Sequence, residues 1–177
     1  MQDLLIFHRN LRIEDNAALY NASLNQDYSS VFIFDKEYWS QSDRSVNQLK
    51  FVIDSLNELE LELKKFNVNL YVFEGSLRDF ASYMNHNHPN SNLHMNHTTE
   101  TEYFSRNLKA LKQNFSLSVN EYKDFGIQIT NQNRDCWASD WQNYMKSETY
   151  KIPLVSKKFK TMNLPKFSEF KNYVNNY

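Results

Sequence analysis

Between two uninterrupted apolar runs, Val31-Phe32-Ile33-Phe34 and Leu70-Tyr71-Val72-Phe73, the chain carries one long helical pattern. Leu49, Val52, Ile53, Leu56, Leu59, Leu63 and Phe66 recur at steps of three and four, with Glu58, Glu60, Glu62, Lys64 and Lys65 between them. Runs of β-branched and aromatic residues with no polar interruption suit strands buried on both faces. A helix over 46–66, ended by Asn67, then reads as a crossover lying on a sheet; three heptads between strands do not favour a coiled coil. Parallel neighbours need such crossovers, so this one stretch points to an α/β fold with a parallel sheet.

The same alternation extends to both sides. Leu4-Leu5-Ile6-Phe7 is a first buried strand that passes at once into His8-Arg9-Asn10-Leu11-Arg12. A helix with Ala17, Ala18 and Leu19 on its inner face comes next, with Asp15 read as its N-cap. The second strand, 29–35, ends on Asp35, and 36–45 reads as a polar loop holding Tyr38, Trp39 and Arg44. After the third strand, Gly75 and Ser76 mark a tight turn and a cap for a short helix over 77–84; such a helix start also suits a phosphate, although every strand-to-helix turn looks like this. A weak fourth strand at 93–96, an amphipathic helix at 103–115 and a fifth strand at 117–122 complete the alternation.

In an open α/β sheet, ligands bind outside the carboxyl ends of the strands. His8 to Arg12, Asp35 and the residues after Asn96 are therefore the first functional candidates. His86, His88, His94 and His97 raise a metal hypothesis, but Asn and Pro surround the first two and Cys136 is far away, so a polar loop is the better reading and no metal site is assigned. Trp137, Trp141 and Tyr144 share one face of a helix over 136–146, a spacing expected of packing. Between 151 and 177, Lys157, Lys158, Lys160, Lys166 and Lys171 interleave with Phe159, Phe167, Phe170 and Tyr173. That composition suits a single nucleic-acid strand or a tail lying on a partner.

Three segments carry a family resemblance. Phe7-His8-Arg9-Asn10-Leu11-Arg12 with Asp15-Asn16-Ala17-Ala18-Leu19 resembles the opening of the DNA photolyase and cryptochrome family, where an aromatic precedes Arg-Arg-Asp-Leu-Arg and Asp-Asn-x-x-Leu comes after it. It departs at His8 and Asn10. Phe51-Val52-Ile53-Asp54-Ser55-Leu56, then Leu63 and Leu70 to Gly75, is similar to the family's Phe-Leu-x-x-Ser-Leu segment and the strand ending in Gly. Asn96, Glu100 and Arg106 fit a third frame, with Thr99 where the family has an aromatic. The resemblance covers roughly residues 3–150 and implies strand order 3-2-1-4-5 with a switch point between strands one and four.

The resemblance also implies a function. The fold would be a Rossmann-like, doubly wound, five-stranded parallel sheet with helices on both faces. Residues 1–150 would form the family's N-terminal α/β domain and 151–177 an interdomain linker or tail. The domain would hold an antenna chromophore, a deazaflavin, a reduced folate or a flavin, in a crevice lined by Arg9, Asn10, Leu11, Asp35, Lys36, Asn96 and Glu100. Excitation would pass to FAD in a helical domain that is separate or missing. Contact with DNA and the deoxyribodipyrimidine photo-lyase activity would belong to that partner, leaving no catalytic residue in this chain.

Composition bounds the alternatives. With 41% hydrophobic and 15% aromatic residues in 177, one domain with a real core is affordable. A net charge of -1 argues against a chain that is basic overall. The single Cys cannot close an internal disulfide, and neither a signal peptide nor an 18-residue apolar run is seen, so a cytoplasmic protein away from membranes is expected. Only two Gly are present, which removes the Gly-rich phosphate loops and weakens the alternative of a nucleotide-binding module like the universal stress proteins. A ligand-free interaction domain docking through its aromatic tail is the other alternative.

Overall fold

Leu4, Leu5, Ile6 and Phe7 are all almost wholly shielded from solvent, which only a strand covered on both sides allows. The computed structural model describes residues 2–97, 108–109, 112, 118–126, 133–158 and 161–174. Within them, β1 (Gln2–Phe7), β2 (Tyr28–Phe34), β3 (Leu70–Glu74), β4 (Ser91–Asn96) and β5 (Ser118–Tyr122) form one parallel sheet in the order β3-β2-β1-β4-β5. Register places Leu5 beside Ser30 on one neighbour and His94 on the other. This is the doubly wound order that the family resemblance implies.

The period-two alternation of the strands sorts the core into two layers. Leu5, Phe7, Phe32, Phe34, Leu70 and Val72 face α1 (Ala17–Ser23), α3 (Val46–Lys64) and α6 (Phe167–Val174). Leu4, Ile6, Val31, Tyr71, Leu93 and Met95 face α4 (Leu77–Asn87). Helices on both faces make three layers. Helix α3 buries Ile53, Leu56, Leu59 and Leu63, the stripe read from the sequence, and starts on a capping box in which Ser45 and Gln48 satisfy each other's backbone N–H.

Several boundaries differ from expectation for local reasons. Asp15 does not cap α1: it sits at φ 47 in the left-handed region, and Asn16 is the cap, its Oδ1 accepting from Leu19 N at 3.0 Å. The stretch after Asp35 is not all loop. Asp35 accepts from Glu37 N and Tyr38 N at 3.0 and 3.3 Å and so starts a four-residue helix, α2 (Lys36–Trp39). Gly75 lies at φ +142, as a tight turn requires, and a Cβ there would stand 2.9 Å from the Phe73 ring. The helix expected at 103–115 falls almost entirely outside the described residues.

A polar seam runs across the α1 face of the sheet. The Asp3 carboxylate is buried and receives Asn25 Nδ2 at 2.7 Å, Asn92 Nδ2 at 3.0 Å and His94 Nε2 at 3.0 Å. Because an ionised carboxylate can only accept, the imidazole carries a proton on Nε2. His94 Nδ1 lies 2.9 Å from the Tyr122 hydroxyl, whose ring stacks on the imidazole at 5.8 Å. Burial alone would raise the Asp3 carboxyl, but these three side-chain hydrogen bonds and the His94 charge outweigh it and hold it below its ordinary value.

The C-terminal stretch is not a loose tail. Tyr28 donates its hydroxyl to Leu154 O at 2.7 Å, Ser156 N donates to Phe66 O at 2.8 Å and Lys157 N to Gln26 O at 2.9 Å. The chain then reaches the outer edge of the sheet. Val72 N donates to Pro165 O at 2.9 Å, and Tyr71 forms an antiparallel bridge with Lys166. Phe167 and Phe170 continue into the core, with Phe170 edge-on to Phe34 at 5.1 Å. The stretch lies as a strap over β3, with Phe167 and Phe170, three positions apart, buried together on one side of α6.

In α5 (Arg134–Met145) the expected packing is only half realised. Trp141 and Tyr144 lean on Gly126, where a Cβ would stand 2.7 Å from Trp141 Cδ1, and Lys123 lies 5.2 Å over the Tyr144 ring. Trp137, by contrast, is 60% exposed.

Candidate functional site

Two strand ends and two helices shape the site. Phe7 and Phe32 reach the carboxyl edge of the sheet, α2 closes above them, and the first turns of α3 stand opposite. The space left is a cavity of about 710 Å³. Its walls are mostly apolar, with Phe7, Leu11, Trp39, Phe51 and Val52 among them, and its polar groups are His8, Arg9, Asp35, Arg44, Asn47, Gln48 and Ser55. A concave apolar site of roughly 300–1,000 Å³ with a small set of polar groups is the usual form of a small-molecule pocket.

The polar groups are held by separate means. Asp35 is fixed by its cap on α2. Arg44 lies 4.3 Å above the Tyr38 ring, which in turn meets Trp39 edge-on at 5.3 Å. His8 is desolvated by the surrounding chain and sits beside the Arg9 cation, which together push its imidazole down to about 4. It is therefore neutral at pH 7, able to donate at one ring nitrogen and accept at the other.

The residues expected to meet in one crevice are distributed between this cavity and its supports. Arg9, Leu11 and Asp35 line it. Asn10 turns the other way and donates to Asp124 Oδ2 at 2.7 Å, tying the loop after β1 to the segment after β5; burial raises the Asp124 carboxyl despite that bond. Lys36 pairs with Glu74 at 2.6 Å, across the ends of β2 and β3. Asn96 is occupied by α1: its Oδ1 accepts from Ala18 N at 3.0 Å and its Nδ2 donates to Asn16 Oδ1 at 2.8 Å. Glu100 lies outside the described residues. The side chains at the junction of β1 and β4 thus hold the helix start, and the open space lies over β1 and β2 instead.

Arg12 is likewise a turn residue, donating from Nε and Nη2 to the Glu14 and Asp15 carbonyls at 2.9 to 3.3 Å. His94 is engaged with Asp3 and Tyr122, and among the described residues no three His, Cys, Asp or Glu side chains gather as a metal site would need. No described helix is long and apolar enough to cross a membrane.

Sequence reading passed over Tyr38, Trp39, Arg44, Gln48 and Phe51 as site residues. One of them left a signal. Phe51 falls off the core stripe of α3, at a position where an amphipathic helix calls for a polar residue, and it is 72% exposed on the helix while facing the cavity.

Comparison with known proteins agrees with this architecture. A family profile described as DNA photolyase matches residues 4–123. The (6-4) DNA photolyase of Arabidopsis thaliana is 36% identical over 83 residues, 41% of this chain and 15% of that protein. The deoxyribodipyrimidine photo-lyase of Buchnera aphidicola is 30% identical over 180 residues, 93% of this chain and 34% of that one. The crystal structure of an archaeal photolyase from Sulfolobus tokodaii, described as holding two FAD molecules and implying a novel light-harvesting cofactor, superposes with a TM-score of 0.73 at 22% identity. It covers 98% of this chain and 41% of the archaeal one, so the chain spans less than half the length of each of these relatives. Since the profile runs from the first strand to just past the last, the chain belongs to the DNA photolyase and cryptochrome family, as its N-terminal α/β domain.

Proposed function

We propose that this domain is a light-harvesting module, which binds an antenna chromophore in the cavity over β1 and β2 and passes its excitation to FAD on a helical domain carried by another part of the protein or by a separate chain. The observation that supports this reading is the cavity itself. Its aromatic walls, Phe7, Trp39 and Phe51, suit a planar conjugated ring, and its polar groups are too few to hydrate the space but enough to orient such a ring.

The chain's own residues fit such a group. Asp35 supplies a fixed acceptor for a ring N–H, neutral His8 supplies a donor or an acceptor, and Arg9 a cation for a ring carbonyl. When bound, a deazaflavin, flavin or reduced folate would supply absorption in the near-ultraviolet and blue. Keeping water from the ring is the task of Trp39 and Phe51. Repair of DNA, or signalling by light, is assigned to the helical partner, and cytoplasmic placement goes with it. Absorbance and fluorescence titration of the purified chain with a flavin, a deazaflavin and a reduced folate tests the reading. Binding of one of them is expected, weakened about tenfold or more by Trp39→Ala; a chain that takes up none of the three does not harvest light.

A further inference from the structure

A second cavity, of about 580 Å³, adjoins the first, and Trp39 and Arg44 line both. Its character is different. Lys36, Arg44 and Lys50 bring three cations to it against one carboxylate, Asp54. Lys36 is partly balanced by Glu74 at 2.6 Å, but that ion pair is about equally exposed on both sides and open to water.

Arg44 is the unusual member. Its side chain is 13% exposed, yet its Nε–H is buried with no acceptor. Asp43, 66% exposed, stands 3.7 Å from Nη2, beyond hydrogen-bond length. The guanidinium carbon lies 4.3 Å from the centre of the Tyr38 ring, a contact that holds the cation without satisfying its donors. A buried N–H without an acceptor is costly, and a bound group that brings the acceptor is one way a native chain offsets that cost. A guanidinium is also the side chain best matched to a planar or tetrahedral oxyanion.

We propose that Arg44 recognises an oxyanion tail on the chromophore, with the ring in the apolar cavity and the tail passing between Trp39 and Arg44 toward Lys36 and Lys50. This rests on the antenna reading and deepens it: the ligand class becomes a ring system bearing a phosphate or a carboxylate chain, and Arg44 the residue that sets the preference. The geometry supplies the selection, because a ring without a tail leaves Arg44 Nε unpaired and the cations of the second cavity in excess of its one carboxylate.

The test compares ligand pairs that differ only in the tail: riboflavin against FMN for phosphate, and a reduced folate with one against three glutamates for carboxylate. The chain is expected to bind one tailed member about tenfold or more tighter than its partner, with a preference that shrinks as salt rises. Arg44→Gln is expected to remove most of that preference, so that the tailed and tailless members bind within about twofold of each other. Arg44→Lys, which keeps the charge and loses the fork, should keep only part of it. Circular dichroism of both variants establishes that they fold. Equal binding of riboflavin and FMN, and of the two folates, overturns the role of Arg44 while the antenna reading stands; failure of all four to bind overturns the role of Arg44, and overturns the antenna reading too when a deazaflavin also fails to bind.

Discussion

Single side chains set the pH response of this domain, and two of them act in the same direction. His8 has its imidazole pushed from 6.5 to about 4 by burial and by Arg9, so the folded state resists a proton that the unfolded chain accepts. Stability from this group is therefore complete above pH 6.5 and declines as pH falls from 6.5 toward 4. Thermal melts at pH 7 and pH 5 should show a lower midpoint at pH 5, and His8→Gln should flatten that difference. Asp3 responds lower on the scale. Its carboxyl is held below its ordinary 3.8, so its contribution is full above that value and is lost as acid protonates it. Asp3→Asn leaves Asn92 and His94 facing an amide in a buried seam and should cost about 3 kcal/mol in urea unfolding at pH 7. At this scale the sequence was a partial guide. Arg9, Leu11 and Asp35 could be placed at a strand's carboxyl end from hydropathy alone. The fate of Asn96 could not, because whether an amide binds a ligand or ties down a helix depends on which neighbour, here Asn16, completes its hydrogen bonds.

Elements show a similar division. Helix α3 was legible because nineteen residues of amphipathic period admit one face toward the core, and the strands were legible because apolar runs without interruption have no other home. Helix α2 was hidden: four residues carry no period, and its existence depends on the Asp35 cap. Helix α6 was hidden for another reason, since Phe167 and Phe170 can be read as stacking residues until the edge of β3 is seen waiting for them. The turn into α4 offers a direct check on element starts. Gly75 sits where a side chain would strike Phe73 and press on Asp79, the residue that completes the capping box with Ser76. Gly75→Ala should lower stability by about 1–3 kcal/mol, the sum of strain at positive φ and a loosened cap, read by chemical denaturation. Asn96→Leu should cost a similar amount by stripping the first turn of α1 of two hydrogen bonds at once.

For the molecule as a whole, the sheet has two edges, and the described residues cover the one at β3. At β3 the backbone of Pro165 and Lys166 supplies the pairing, and Phe167 anchors it. Removing residues 159–177 should uncover that edge and the apolar seat beneath α6. The expected result is self-association in size-exclusion chromatography together with a lower melting midpoint; a monomer that melts unchanged would show that the strap is dispensable. The pairing also has a consequence in time. Tyr71 and Lys166 are 95 positions apart. At a synthesis rate of about 5–20 residues per second, the outer strand waits roughly 5–20 seconds for its cover. During that interval the sheet can be ordered but not sealed, so the nascent chain presents an open strand to its neighbours on a polysome. Codon choice or pausing between those positions would then set the yield of soluble protein without altering the finished fold.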